Sequence, residues 1–302
     1  MKGRNCSIDY ILNKNWASNI NEHNNSTIYI VGGLYGNFEA LKTIKDFALN
    51  EDEYPLIIFN GDIHWFDIYE DDFLKVENLI KNDIKLLGNV EYELINPNNN
   101  LGCGCNYPED VDDGVVERSN DIHSAMKDNL KNSSVLNDIR TREKTYVLEY
   151  FGKKIAITHG DEKSLSGWNC SIDSLKDKNR EQNLNIWLEE NKVDFLVTTH
   201  TCLPVVKKLN KKYVLNNGSS GMANIKGTTY GIFIRISNKP CSQAIISIKE
   251  GNIYLELVKV DFNVENFINW FDNIWDAKSP ASISYRNRIL NGTNLEKEEI
   301  II

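Results

Sequence analysis

Pro55-Leu56-Ile57-Ile58-Phe59-Asn60-Gly61-Asp62-Ile63-His64-Trp65-Phe66-Asp67 is the stretch on which the fold turns. Its apolar run, Leu56 to Phe59, has the composition of a buried strand and ends in a polar, glycine-containing elbow. Such an elbow puts the Asp62 carboxylate at the carboxyl end of a strand, where open α/β sheets carry their ligands. The pattern recurs. Ile28–Val31 runs into Gly32-Gly33-Leu34-Tyr35-Gly36-Asn37, and Ile84–Leu87 into Gly88-Asn89-Val90-Glu91. Ile155–Thr158 runs into His159-Gly160-Asp161, and Phe195–Thr199 into His200. Strand ends tipped with Asp, Asn or His imply one converging polar site.

A chain of 302 residues and 34.6 kDa can bury a full α/β core within one domain, residues 1–302. The formal charge of -9 implies no broad positive surface, which disfavours long nucleic acid as a partner. Six irregularly spaced cysteines do not make a disulfide scaffold, and they suit a reducing compartment. No targeting pattern and no apolar run of about 20 residues is present, so a cytoplasmic protein without a membrane partner is expected.

In chain order, residues up to Thr27 read as a short helix or irregular lead-in anchored by Ile8, Tyr10, Ile11, Leu12 and Trp16. Apolar spacing predicts helices over Phe38–Ala48, Ile68–Ile80, Asn120–Leu130, Arg180–Asn191 and Val264–Trp275. Thr145–Tyr150 and Ile155–Thr158 read as a hairpin, and Asp161–Asn179 as polar loop. The last third turns to strands at Tyr213–Leu215, Thr229–Ile236, Ala244–Ile248 and Ile253–Val258. Residues 96–130 read as an insertion over the strand ends, and 262–302 as a helical C-terminal extension. The fold class is α/β (α+β), with two sheets packed together and helices outside.

Asp62, Asn89, His159 and His200 offer hard oxygen and imidazole nitrogen, a donor set for a first-row divalent ion such as Mn, Fe or Zn. An ion there would polarise a phosphoryl oxygen and lower the pKa of bound water. Each residue also has an ordinary reading: Asp62 as a helix cap, Asn89 as a turn residue, the histidines as hydrogen-bonded surface groups.

The order of these motifs resembles the calcineurin-like metallophosphoesterases. Gly61-Asp62, Gly88-Asn89-Val90-Glu91, His159-Gly160, Thr199-His200-Thr201-Cys202-Leu203-Pro204 and Asn216-Asn217-Gly218-Ser219 match that family's second to last motifs, over about Ile28 to Val260. Gly36-Asn37-Phe38-Glu39-Ala40-Leu41 has the shape of its first helix start. The resemblance implies a four-layer αββα sandwich of two mixed sheets and a two-metal site. It further implies that Asp62, Asn89, His159 and His200 hold one ion and serve catalysis through an activated water, with a small phosphorylated molecule as substrate.

The departures fall on the other ion. Where the family has Asp and His in its first motif, this chain has Gly33 and Tyr35, and where it ends its histidine pair it has Cys202. On one reading a single ion remains. On the other, Tyr35 and Cys202 rebuild a second site with Asp62 and, in place of a side chain at Gly33, His64; a related branch of the superfamily uses a tyrosine on iron. On a third, Tyr35 and Cys202 simply pack the emptied pocket. Val90 stands where many members carry a proton-donating histidine, leaving His64, His123 or a second water to serve the leaving group. Arg118 would clamp a phosphate from the insertion or be an ordinary surface arginine, and His123 would line the approach. Cys103 and Cys105 lack zinc-knuckle spacing and read as a tight turn set by Gly102 and Gly104, thiols inward. The expected function is metal-dependent phosphoester hydrolysis, of the phosphodiesterase or nucleotide phosphatase kind, with one ion rather than two. The alternative is a catalytically inactive member that binds a phosphorylated ligand or a protein partner.

Overall fold

A computed structural model describes residues 2–4, 7–96 and 101–302. Two mixed sheets lie face to face. The first half alternates strands with helices: β1 (Thr27–Val31), α1 (Phe38–Leu49), β2 (Leu56–Phe59), α2 (Glu70–Leu79), β3 (Ile84–Lys85) and α3 (Asn89–Ile95). The chain continues through α4 (Asp113–Leu130), α5 (Val135–Ile139), β4 (Thr145–Tyr150), β5 (Lys153–Thr158), α6 (Ile172–Lys176), α7 (Lys178–Glu190) and β6 (Phe195–Thr198). Strands β7 (Pro204–Leu209), β8 (Lys212–Asn217), β9 (Gly231–Ser237), β10 (Ala244–Glu250) and β11 (Ile253–Val260) follow, then α8 (Val264–Ile274), a π-helix at Ser282–Arg286 and α9 (Asn287–Asn291).

One sheet has the order β10-β11-β9-β1-β2-β3, the other β4-β5-β6-β8-β7. Strands β1, β2 and β3 run parallel, as do β5, β6 and β8, so their carboxyl ends, and the elbows that follow them, collect along one rim. The antiparallel partners β9 and β4 close each parallel set on one side. The expected layered α/β architecture with two mixed sheets is therefore the observed one.

Strand alternation assigns the layers. Ile28 and Ile30 of β1 face the second sheet with Ile58, Ile157, Leu196 and Leu257, while Tyr29 and Val31 face the helices with Leu41, Ile44, Phe233 and Phe271. All five residues of β1 are buried, which explains its unbroken apolar run. Each such aliphatic side chain contributes roughly 1.5–3 kcal/mol by burial. Asn37 starts α1 by accepting a hydrogen bond from the Ala40 amide at 2.9 Å.

Several boundaries differ from the sequence expectation. The third strand is two residues long, because the Leu87 amide turns to donate to the Glu143 carbonyl at 2.9 Å instead of extending β3. The helix expected over Asn120–Leu130 starts at Asp113, where the Asp112 carboxylate caps the Gly114 and Val115 amides. Asp161–Asn179 is not all loop but contains α6. Helices α3 and α5 and strand β7 were not anticipated. The lead-in forms two short 3-10 turns; Tyr10, Leu12 and Trp16 anchor it, whereas Ile8 and Ile11 are exposed. Part of the expected insertion, residues 97–100, lies outside the described residues. Among the described residues no helix is long and apolar enough to cross a membrane.

Candidate metal centre

The elbow after β2 is a strained turn held from behind. Gly61 has φ +80° and Asp62 φ +50°. A Cβ on Gly61 would lie 2.5 Å from the Gly88 backbone nitrogen and 2.7 Å from His159 Nδ1, so only glycine fits. The buried Glu91 carboxylate accepts from the amides of Asp62 (2.9 Å), Ile63 (2.8 Å) and Gly88 (2.9 Å), and more weakly from His64 (3.3 Å). One side chain of α3 thus fixes two strand ends relative to each other. Burial and the Asp62 charge raise the pKa of Glu91, opposed by the His64 and Arg142 charges and by the Gly88 amide.

Asp62, Asn89, His159 and His200 come together, all buried. His159 Nδ1 donates to the Asn60 carbonyl at 2.9 Å, and His200 Nε2 donates to the Cys105 carbonyl at 3.0 Å. A carbonyl only accepts, so both ring protons are fixed on the outer nitrogens. The inner nitrogens, His159 Nε2 and His200 Nδ1, then point lone pairs at each other across 3.1 Å. Asn89 donates through Nδ2 to the Cys103 carbonyl at 2.9 Å, so its Oδ1, 3.1 Å from His159 Nε2, is an acceptor as well. Asp62 Oδ1 lies 3.4 Å from His159 Nε2.

Four acceptors without a donor between them need a proton or a cation. Carbonyl-oriented imidazoles beside a carboxylate are the usual dress of metal-binding histidines. Among the described residues the one cluster of His, Cys, Asp and Glu able to hold an ion is Asp62, His159 and His200, with ligand atoms within 4.8 Å of one another. The residues present therefore fit one divalent ion. With the cluster metal-free, burial lowers the His159 pKa but the Asp62 charge outweighs it and raises it, whereas burial and the neighbouring His159 push His200 down to about 3. Asp62 is held below the usual carboxylate range, the two imidazoles outweighing its desolvation.

The turn Leu101–Pro108 owes its part to backbone. Gly102 and Gly104 take φ +71° and +68°, and the Cys103 and Cys105 thiols are buried as expected. Its carbonyls orient Asn89 and His200, and the Cys105 carbonyl also accepts from Trp168 Nε1 at 2.9 Å. No side-chain motif announces this role. Glu91 was legible as the acidic end of Gly88-Asn89-Val90-Glu91, though not what it anchors.

Tyr35 and Cys202 lie against each other beside this cluster. Tyr35 (φ +57°) donates to or accepts from Cys202 (φ +57°), Oη to Sγ, at 2.8 Å. A Cβ on Gly33 would lie 3.0–3.1 Å from the Tyr35 ring and hydroxyl, so the phenol occupies the space into which a side chain at position 33 would project. Burial raises the Tyr35 pKa, as do the nearby Cys202 and Asp62, and burial raises that of Cys202. The Gly32-Gly33 loop is held from below, since Asn217 Nδ2 donates to the Gly32 carbonyl and Ser219 Oγ to the Gly33 carbonyl, both at 2.9 Å.

Three sequence candidates lie elsewhere. His64 is not beside Asp62's ligand oxygen: its Nδ1 meets Asp67 at 2.6 Å and its Nε2 meets Glu77 at 2.8 Å, its ring stacked on Phe73. Burial lowers its pKa, but the two carboxylates override that and raise it to about 9, so it is an imidazolium structural post rather than a ligand. Arg118 is not among the residues around the cavity beside Asp62 and His200, and its Nε donates to Ser284 Oγ of the π-helix at 2.8 Å. His123 is buried under the site, donating from Nε2 to the Val90 carbonyl at 3.0 Å, and burial pushes its pKa down to about 4.

A cavity of about 50 Å³ adjoins Asp62, His200, Tyr35 and Cys202, with Trp65, Tyr107, Trp168 and Tyr285 around it. The C-terminal extension supplies part of this roof. Trp275 Nε1 donates to the Phe66 carbonyl at 3.0 Å, Tyr285 packs on Phe66 and Trp65, and Arg288 donates to the Cys202 carbonyl at 2.7 Å.

Comparison with known proteins agrees with this architecture. Residues 26–212 match the family model of the calcineurin-like phosphoesterases. No curated protein matches the chain. The metallophosphoesterase from Sphaerobacter thermophilus is similar in structure, with TM-score 0.57 and 13% identity over 88% of this chain and 100% of that one. The hypothetical protein PH1004 from Pyrococcus horikoshii OT3 gives TM-score 0.59 and 12% identity over 89% and 99%. At these identities the likeness is one of fold.

Proposed function

Since this chain belongs to the calcineurin-like phosphoesterase family, yet gathers one ligand cluster rather than two, we propose that it is a catalytically inactive, single-ion binding member. The observation that carries this reading is the Tyr35–Cys202 hydrogen bond of 2.8 Å: the two side chains that stand where the family resemblance would put ligands of the neighbouring ion are hydrogen-bonded to each other. Asp62, Asn89, His159 and His200 would hold the remaining ion, which supplies Lewis acidity when bound. The absence of a histidine at Val90 and the diversion of His64, His123 and Arg118 into structural bonds support the same reading.

The partner follows from the cavity. Neither lysine nor arginine is among its lining residues, so no side-chain cation there would pair with a phosphate. A protein partner therefore suits the site better than the small phosphorylated molecule that the motifs imply.

Purified protein loaded in turn with Mn, Fe, Co and Zn is to be assayed for metal content and for hydrolysis of bis(nitrophenyl) phosphate and of nucleotide monoesters. One ion per chain with no turnover is the expected result. Turnover that disappears in Asp62→Asn would overturn it in favour of one-ion hydrolysis, the reading that the intact four-residue set favours.

A further inference from the structure

The C-terminal extension is bonded to both turns that carry ligands of the cluster. Trp275 Nε1 donates to the Phe66 carbonyl at 3.0 Å, four residues after Asp62. Arg288 Nη2 donates to the Cys202 carbonyl at 2.7 Å, two residues after His200, and its Nε donates to the Ala223 carbonyl at 2.9 Å. Between these anchors the segment closes on itself, Ser282 Oγ donating to the Trp275 carbonyl at 2.8 Å. The stretch lies beyond residues 26–212, which match the family model, so none of the ligand motifs contains it.

Both ligand-bearing turns need support. Asp62 (φ +50°) and Cys202 (φ +57°) are non-glycine residues in the left-handed region, a conformation that persists only where surrounding contacts hold it. Glu91 braces the Asp62 elbow through three amides at 2.8–2.9 Å. The Cys202 turn closes through its own amide on the Thr199 carbonyl at 2.9 Å, and its carbonyl is held from outside by Arg288. The forked guanidinium thereby joins this turn to a second loop at Ala223.

An ion needs its ligand atoms gathered, and those of Asp62, His159 and His200 lie within 4.8 Å of one another. A contact that favours the gathered arrangement raises affinity through the population of the binding-competent state. Linkage makes the effect mutual, because an ion that holds the turns favours the docked segment by the same factor.

We propose that Arg288 is a positioning residue for the metal centre, and that docking of segment 275–288 and occupancy of the cluster strengthen each other. The inference rests on the single-ion reading and concerns the regulation of that same site. A segment outside the ligand motifs sets how tightly the ion is held.

Full-length wild type, Arg288→Met and Arg288→Lys are each competed for Co(II) against a chromophoric chelator, and the urea unfolding of each metal-free protein is measured alongside. Amide hydrogen exchange of the wild type is followed with and without Zn, at Ile283 and Gly292, whose amides donate to the Ser279 and Arg288 carbonyls at 3.1 and 2.8 Å, and across the β10–β11 hairpin as a reference. The expected result is one Co(II) per chain throughout, affinity weakened about tenfold in Arg288→Met, and an intermediate loss in Arg288→Lys, which keeps a donor without the fork. Zn should slow exchange at Ile283 and Gly292 more than in the hairpin. A residue that only stabilised the fold would lower the metal-free unfolding free energy and leave the affinity of folded protein unchanged. That outcome, or segment amides slowed no more than the hairpin's, overturns this inference and leaves the single-ion reading standing. If Arg288→Met does not fold, Arg288→Lys and the exchange comparison on the wild type decide by the same criteria. Failure of the wild type to bind Co(II) overturns both.

Discussion

His159 Nε2 and His200 Nδ1 face each other across 3.1 Å with their outer nitrogens both committed to backbone carbonyls. Neither can rotate its proton inward without abandoning a buried carbonyl, so the pair is built to accept. Loading a divalent ion should stabilise the fold, by about 2.7 kcal/mol at one hundred times Kd. Thermal unfolding with and without Zn or Mn measures this, and His200→Ala should abolish the gain, since it removes one of the three clustered ligands.

The Tyr35–Cys202 pair yields a gain-of-site experiment. The triple variant Gly33→Asp, Tyr35→His, Cys202→His removes the phenol that a Cβ at position 33 would meet at 3.0–3.1 Å and supplies oxygen and imidazole in its place. Metal analysis after dialysis should rise from one ion per chain to two. Tyr35→Phe alone should leave the count at one, because it breaks only the bond to Cys202.

Glu91 should matter more to stability than its lack of a substrate-facing role suggests. Glu91→Ala strands the amides of Asp62, Ile63 and Gly88, which the carboxylate now holds at 2.8–2.9 Å. A loss of roughly 3 kcal/mol or more in urea unfolding is expected, from about 1 kcal/mol upward per orphaned donor. Metal affinity should fall with it, because the same carboxylate positions the elbow that carries Asp62.

Acid should destabilise the protein through His123. Burial lowers its folded pKa to about 4, against about 6.5 in an unfolded chain. Between those values the unfolded state binds the extra proton, so stability is present above about pH 6.5 and is lost as pH falls towards 4, by on the order of 3 kcal/mol. His123→Gln keeps a donor for the Val90 carbonyl and removes the titration. Its unfolding free energy should therefore vary less with pH over that window than the wild type's.

How far the sequence reached depends on which residues are asked about. Its apolar runs and their polar tips carried the two-sheet architecture, because a strand buried on both faces reads as a near-continuous apolar run, as Ile28–Val31 does. It also brought Asp62, Asn89, His159 and His200 forward as one set, since parallel strands deliver their ends to one rim. His64, Arg118 and His123 were misread for a common reason. A titratable side chain looks the same in a list whether it faces a cavity or a buried partner, and here the partners are Asp67 and Glu77, Ser284, and the Val90 carbonyl.

The sequence by itself determined the layered fold, the survival of one ligand set and the loss of Gly33, Tyr35 and Cys202 positions as ordinary ligands. Only the tertiary structure decided what those losses became. Whether Tyr35 rebuilds a site or fills one depends on a contact between residues separated by 167 positions, and its phenol is found bonded to the Cys202 thiol. The protonation pattern of the histidines is equally non-local, because it is set by the carbonyls of Asn60 and Cys105, and a carbonyl carries no side-chain signature. Backbone acceptors and packed space are properties of three dimensions, and no side-chain pattern in the sequence carries them.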